Sequence, residues 1–357
     1  GGIAVNALGH GHPALVAAVS KQVAEVVHVS NFFTTPAQIA LAERLLDISC
    51  APAGSKVFFA NSGTEAIEAA IKLSRRTGRT GIVAAEGAFH GRSTGALALT
   101  HKAAYRQPFE PLLPGVTHIP YADVEALRAA VTSDTAAVVL EPIQGEGGVV
   151  AADTAYLQAA REIATSAGAL LIIDEIQTGI GRTGQWFAFQ ESGIVPDAIT
   201  VAKGLGGGVP IGALVTMGPG VSALLQPGQH GTTFGGNPLA AAAALAVLDT
   251  IDEQGLMAHA VEVGEHLADA VAALRHPLVS TIRGRGLLRA IVLAEPIAPL
   301  VADLARDAGF IVNAVAPQAL RLAPPLVITT EEIDTFVAAL PGLLDAAHAA
   351  CTTPEAS

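Results

Sequence analysis

The sequence predicts an α/β fold with a largely parallel sheet, and three observations carry that prediction. Short apolar runs alternate with longer helix-like stretches, four of those runs end abruptly in chemically capable polar groups, and apolar residues make up 51% of the chain. The strand-like runs are residues 57–60, 81–84, 136–140, 169–173 and 199–202. Between them, residues 37–48, 65–77, 124–131 and 154–167 have helical composition and spacing. Beyond about residue 255 the texture changes. A long Ala/Val/Leu helix over 256–274 leads into runs at 279–283 and 287–293, a helix, runs at 310–315 and 319–322, and a last helix from Glu331. That order reads as a second, smaller α/β domain. At roughly 150 residues per domain, 357 residues predict two or three domains, or one large and one small. The division expected is 1–254 for the large domain and 255–357 for the small one, with the first few residues free to side with the small one. No linker, low-complexity tract or internal repeat separates them.

Composition narrows the class. Charged residues are only 15% and mean hydropathy is +0.47, so the chain can bury enough apolar surface to offset its ordering entropy, which excludes disorder. The longest unbroken apolar stretch, residues 239–248, is mostly alanine and about half the roughly 20 residues that cross a bilayer. No membrane span is expected. Twenty basic against 32 acidic residues leave a net charge of −12 with no basic run, which argues against nucleic acid or an anionic membrane surface as partner. Cys50 and Cys351 cannot make a disulfide framework, and no signal peptide is seen, so a reducing compartment, the cytoplasm, is expected. The chain opens on Gly1, directly into a patterned segment, so residues upstream of it are expected to be missing from the numbering.

The run endings are the chemical clue. Run 57–60 ends in Asn61-Ser62-Gly63-Thr64-Glu65, run 136–140 in Glu141-Pro142-Ile143-Gln144-Gly145-Glu146, run 169–173 in Asp174-Glu175-Ile176-Gln177, and run 199–202 in Lys203-Gly204. Ligands of open parallel sheets bind outside the carboxyl ends of the strands, so these groups should converge on one crevice.

Ser62 and Glu65 have capping-box spacing, which starts a helix there with free backbone N–H groups. Such a helix start after a glycine turn attracts an anion, commonly phosphate, although a plain helix cap reads the same way. It is neither a Walker A loop nor a Gly-x-Gly-x-x-Gly fingerprint, which argues against nucleotides. Of the five lysines (Lys21, Lys56, Lys72, Lys102 and Lys203), only Lys203 ends an apolar strand and opens a glycine-rich turn. A desolvated amine loses its proton readily and attacks carbonyls to form a Schiff base; an ordinary strand-end lysine is the alternative. Asp174 follows five apolar residues and must be paired or hydrogen-bonded. It could cap the next segment, bind a metal, or pair with the protonated ring nitrogen of a pyridine cofactor. A Schiff-base lysine, a phosphate-binding helix start and a strand-end aspartate together are the protein's share of pyridoxal phosphate chemistry.

Other chemistries find less. The eleven histidines show no His-Glu-x-x-His or paired-cysteine spacing, and His10 and His12 flank a turn, so no metal site is expected. No Gly-x-Ser-x-Gly elbow is found. Arg92 sits in Phe89-His90-Gly91-Arg92, Arg321 within an apolar run, and Arg182 after a glycine turn. Guanidinium groups in such settings grip carboxylates or form internal salt bridges.

These segments resemble the class III aminotransferases of the ornithine/acetylornithine type. The likeness is carried by Phe58-Phe59-Ala60-Asn61-Ser62-Gly63-Thr64-Glu65-Ala66, Phe89-His90-Gly91-Arg92, and Glu141-Pro142-Ile143-Gln144-Gly145-Glu146-Gly147-Gly148. Asp174-Glu175-Ile176-Gln177-Thr178-Gly179, Ala202-Lys203-Gly204-Leu205-Gly206-Gly207-Gly208 and His230-Gly231-Thr232-Thr233-Phe234-Gly235-Gly236-Asn237-Pro238 complete it, in order, from Gly1 to about Leu340. Within the family the acetylornithine branch is most similar, through residues 2–10 and 320–326.

The resemblance implies a type I PLP-dependent transferase fold: a large domain with a mixed, mostly parallel sheet, a small C-terminal α/β domain, and a homodimer with its active sites at the interface. It implies pyridoxal 5′-phosphate held by Lys203, with Asp174 at its ring nitrogen, Phe89 on its ring and Gln177 at its phenolic oxygen. Ser62, Gly63 and Thr64 would meet the phosphate, with Thr233 reaching in from the partner subunit. Arg92 would bind the carboxylate of N-acetylornithine and Arg321 that of glutamate, with Glu146 masking Arg321 in the first half-reaction. The activity implied is transamination of N-acetylornithine with 2-oxoglutarate in arginine biosynthesis. Ornithine, succinylornithine or 4-aminobutyrate as donor, an aminomutase, and a non-catalytic homologue are the alternatives.

Overall fold

In the computed structural model, which describes residues 1–352, the apolar runs pair into one large sheet. Its first four strands are β1 (Lys56–Ala60), β2 (Gly81–Ala85), β3 (Val116–Ile119) and β4 (Thr135–Leu140). A small antiparallel pair, β5 (Ile143–Gln144) and β6 (Val150–Ala151), branches off after β4. The large sheet resumes with β7 (Leu170–Asp174), β8 (Ala198–Val201) and β9 (Gly212–Thr216), in the spatial order β1-β9-β8-β7-β4-β2-β3. Every strand of this sheet runs the same way except β9, which pairs antiparallel with both β1 and β8. The sheet is therefore mixed and mostly parallel.

Both faces are covered, as parallel sheets require. Alternation along β4 sends Val138 and Leu140 into one apolar cluster and Ala137 and Val139 into the other. The second cluster is roofed by the helix Gly63–Arg75, which buries Ile67, Ala70, Ile71 and Leu73. Each fully buried Leu or Ile stabilises the fold by roughly 1.5–3 kcal/mol.

The second sheet consists of β10 (Val279–Arg285), β11 (Leu288–Leu293), β12 (Asn313–Ala316) and β13 (Ala319–Leu322), antiparallel throughout in the order β10-β11-β13-β12. Helices Leu256–Ala273, Ala298–Asp307 and Thr330–Thr352 pack with it. The first residues of the chain lie against this part, with Leu326 N donating to Ala7 O at 2.7 Å.

Several elements differ from expectation. β3 and β9 were not expected, because one carries Thr117 and His118 and the other continues a glycine-rich turn. The run at 310–315 becomes a strand only from Asn313. Helices Pro13–Glu25 and Pro238–Glu253 were also not expected. The second contains the alanine-rich stretch that had been read only for its membrane-spanning length. It starts where Asn237 accepts from Ala240 N at 2.9 Å, with proline at its first turn. Contrary to the expectation of no membrane span, Thr330–Thr352 is long and apolar enough, by length and composition, to cross a membrane. Its apolar face is used inside the protein: Ile333, Phe336, Val337, Leu340 and Leu344 are buried at helical spacing.

Candidate active site

β9 assembles the site by separating β1 from β8 while keeping their carboxyl ends level. Ala60 pairs with Gly212 and Val201 with Ala213, so the Ser62 loop and Lys203 leave the sheet side by side. Gly212 is needed there, because a Cβ would run into the Ser62 carbonyl. On the other side of Lys203, Asp174 pairs with Thr200 and Ile173 with Leu140, which sets Glu141 beside Asp174.

Ser62 is the N-cap of the helix Gly63–Arg75, accepting from Glu65 N at 3.3 Å. Glu65 turns back to Asn61, accepting from its N and Nδ2 at 2.9 Å each, so the expected capping box closes one residue earlier than its spacing implied. The amides of Gly63 and Thr64 belong to the first turn and have no acceptor within the helix. The Ser93 hydroxyl donates to Glu68 Oε1 at 2.6 Å, so the 2.6 Å contact between Thr64 Oγ1 and Ser93 Oγ has Thr64 as donor.

Lys203 opens its turn at φ +44°, a left-handed conformation that a residue with a Cβ adopts at some energetic expense. Burial, with help from the Arg321 charge, lowers the pKa of its amine, against the opposing pull of Asp174, Glu146 and Glu141. A larger share of neutral, nucleophilic amine follows.

Asp174 is 3% exposed and holds three donors, which leaves one acceptor site of its carboxylate open. Its Oδ1 accepts from Ile176 N at 3.0 Å and Thr200 Oγ1 at 3.1 Å, and its Oδ2 lies 2.7 Å from His90 Nδ1. Burial alone would lower the His90 pKa, but the hydrogen bond and charge of Asp174, together with Glu141, raise it. His90 Nε2 is buried with no hydrogen-bond partner among the described residues. Glu141 is pushed up to about 7 by burial and by Asp174, while its carboxylate accepts from Phe89 N at 3.2 Å. Glu141 was expected at the crevice without a role, and His90 and Thr200 were not among the expected site residues. The first two stood inside quoted motifs, His90 beside Phe89 and Glu141 directly after a strand, and that position was the available signal.

Ser62, Gly63, Thr64, Phe89, Arg92, Asp174, Gln177 and Lys203 line one cleft of about 420 Å³. Glu146 and Arg321 adjoin it through Gln177. Arg321 is 2% exposed, and it donates to Glu146 Oε1 at 2.5 Å, Asn313 Oδ1 at 2.6 Å and Gln177 Oε1 at 3.0 Å. Arg92 is exposed and forms no hydrogen bond or ion pair among the described residues; its guanidinium carbon lies 3.7 Å from the Tyr105 ring centroid. Thr233 is not brought to the cleft of its own chain. It sits in a separate recess with Asn31 and Gln38, on a loop held by Asn31 Nδ2 donating to Thr232 O at 2.7 Å. Arg182 grips no carboxylate: it donates to the carbonyls of Leu287 and Pro324 and ties its turn to the second sheet.

The cleft fits a flat, phosphorylated pyridine aldehyde. Its lining includes the helix start at Ser62, Gly63 and Thr64, the buried carboxylate of Asp174, His90, and Lys203 with its lowered pKa. Gly63 keeps the phosphate end open, since a Cβ there would lie 2.8 Å from Ile176 Cδ1.

The profile of the family described as "Aminotransferase class-III" matches residues 1–344. The chain belongs to the class III aminotransferase family. It is an aminotransferase with the type I fold, and pyridoxal 5′-phosphate is the cofactor of that family. It is 56% identical over 349 residues to the acetylornithine aminotransferase of Mycobacterium leprae, covering 98% of this chain and 86% of the relative. Among solved structures it is similar to the ornithine aminotransferase of Toxoplasma gondii, with TM-score 0.91, 31% identity, and coverage of 98% of this chain and 86% of that one. The N-acetylornithine aminotransferase of Stenotrophomonas maltophilia superposes with TM-score 0.85 at 36% identity, covering 98% and 90%.

Proposed function

We propose that this class III aminotransferase moves the amino group of N-acetylornithine to 2-oxoglutarate, yielding N-acetylglutamate semialdehyde and glutamate, a step of arginine biosynthesis. The observation that carries the reading is the contrast between the two arginines: Arg92 is unpaired at the cleft, while Arg321 is neutralised by Glu146. A donor whose reacting amine is distant from its single carboxylate can use Arg92 and leave Arg321 masked. A donor with a second carboxylate, glutamate, must displace Glu146 to reach Arg321.

When bound, pyridoxal phosphate supplies the electron sink that lets the amine-bearing carbon give up a proton. Lys203 would hold it through its side-chain amine, the group that would also carry the proton on and off the substrate carbon. Asp174 would keep its ring nitrogen protonated, and the three donors on its carboxylate prevent it from turning away. Ser62, Gly63 and Thr64 would hold its phosphate, and Phe89 and Gln177, which line the same cleft, would hold its ring. Phe89 is braced for its role by Glu141, and Gln177 is braced by Arg321.

The reading includes a cytoplasmic homodimer in which Thr233 completes the partner's phosphate site. It is supported by an apolar surface next to Thr233: Phe32 is 91%, Phe33 68% and Phe234 59% exposed. Such a patch marks an interface. We divide the chain into a large unit, 1–254, and a small unit, 255–357, supported by the second sheet lying wholly beyond residue 255. The test is a donor panel with 2-oxoglutarate as acceptor. N-acetylornithine should be the fastest donor, and a faster ornithine, succinylornithine or 4-aminobutyrate would overturn the assignment.

A further inference from the structure

Arg92 poses a physical problem. It is an exposed guanidinium with no carboxylate and no hydrogen-bond acceptor among the described residues, on a loop between β2 and the helix Thr94–Leu99. An arginine so placed should sample many rotamers, and ordering it on ligand binding would weaken affinity. Yet its guanidinium carbon lies 3.7 Å from the centroid of Tyr105 and 5.7 Å from that of Phe89. At 3.7 Å the planar cation rests directly on the phenol ring.

Stacking engages the flat face of a guanidinium and leaves its N–H edge free. A salt bridge would do the opposite, consuming the donors that a ligand carboxylate needs. Arg321 shows the contrast in the same molecule, with its donors taken by Glu146, Asn313 and Gln177. The Tyr105 ring is itself fixed. It belongs to the short helix Ala103–Arg106, its backbone N donates to Lys102 O at 2.9 Å, and it meets Phe89 edge-on at 6.3 Å. The Lys102 ammonium lies 4.8 Å from the centroid of the same ring, so two cations flank Tyr105.

We infer that Tyr105 is a positioning residue for substrate specificity: it holds Arg92 by its face so that the edge stays preorganised for the carboxylate of the amino donor. This rests on the reading of Arg92 as the donor-carboxylate site. Tyr105 itself need not touch the donor.

The test uses the full-length, cofactor-loaded enzyme and two donors, N-acetylornithine and n-pentylamine, which has no carboxylate. Tyr105→Leu should raise KM for N-acetylornithine about threefold to tenfold, with kcat nearly unchanged and no rise for pentylamine. Tyr105→Phe and Tyr105→Trp keep a ring face and should hold KM near the parent value, which a role for the hydroxyl would not produce, while the unchanged KM for pentylamine in Tyr105→Leu separates the stacking role from a merely structural one. If Arg92→Ala raises KM for N-acetylornithine but Tyr105→Leu does not, or if Tyr105→Leu raises KM equally for both donors, the inference fails and the role of Arg92 stands. If Arg92→Ala leaves KM unchanged, the reading of Arg92 fails and the inference falls with it.

Discussion

Removing the Glu146 carboxylate probes the two-arginine arrangement most sharply. In Glu146→Ala, Arg321 loses its only anionic partner among the described residues, a contact of 2.5 Å, while Asn313 and Gln177 remain as neutral acceptors. The Arg321 side chain is 1% exposed but that of Glu146 is 31% exposed, so the pair is only partly desolvated. A fully buried pair broken on one side is destabilised by about 3–5 kcal/mol. Discounting for the wet carboxylate and the surviving acceptors leaves about 2 kcal/mol of unmet demand at Arg321. A substrate carboxylate arriving there can now recover that energy instead of competing with Glu146. Two kcal/mol corresponds to roughly thirtyfold at 1.4 kcal/mol per decade. The ratio of kcat/KM for N-acetylornithine over glutamate should therefore fall about thirtyfold, mostly through tighter glutamate. The assay is a stopped-flow half-reaction that follows loss of the cofactor's visible absorbance with each donor separately. An unchanged ratio in a folded, cofactor-loaded variant refutes the masking of Arg321.

Other expectations follow from the same geometry. Lys203→Ala should fold, lose the visible absorbance of lysine-bound cofactor and lose at least about 10³-fold in turnover; persistence of that absorbance without substrate rules out Lys203 as the attachment point. The Glu175 carboxyl is pushed up to about 7 from an ordinary 4.5 by burial, so the native state binds its proton more tightly than the unfolded chain. Its contribution therefore declines as pH rises from about 4.5 to 7 and is flat above. Glu175→Gln should gain stability over the parent by up to about 3 kcal/mol more at pH 8 than at pH 4, measured by urea unfolding, and equal differences at the two values contradict the shift. Phe32→Glu should turn a dimer into a monomer in analytical ultracentrifugation and weaken cofactor binding through loss of the partner's Thr233; an unaltered sedimentation profile removes that surface from the interface.

Much of this was legible in the residues themselves. Asp174, Glu141, Lys203 and the Ser62 cap all follow apolar runs, and a parallel sheet leaves such groups on one edge. What local reading missed was long-range. β9 is the single reversed strand, and nothing in Gly212–Thr216 announces that it will insert between β1 and β8, although this insertion puts Ser62 beside Lys203. His90 was visible only as a letter in a motif, since its hydrogen bond to Asp174 joins residues 84 positions apart. Tyr105 carried no signal at all, because a four-residue helix in a polar connection has no periodicity to read. The three acceptors of Arg321 likewise come from the turn between β5 and β6, from β12 and from the loop after β7.

The most direct measurement is the single-turnover reaction of the purified, cofactor-loaded protein with N-acetylornithine, ornithine, succinylornithine, 4-aminobutyrate and glutamate. N-acetylornithine should bleach the visible band fastest, and 2-oxoglutarate should restore it with formation of glutamate. A band that no amino donor bleaches, or one bleached faster by ornithine, succinylornithine or 4-aminobutyrate, would contradict the account.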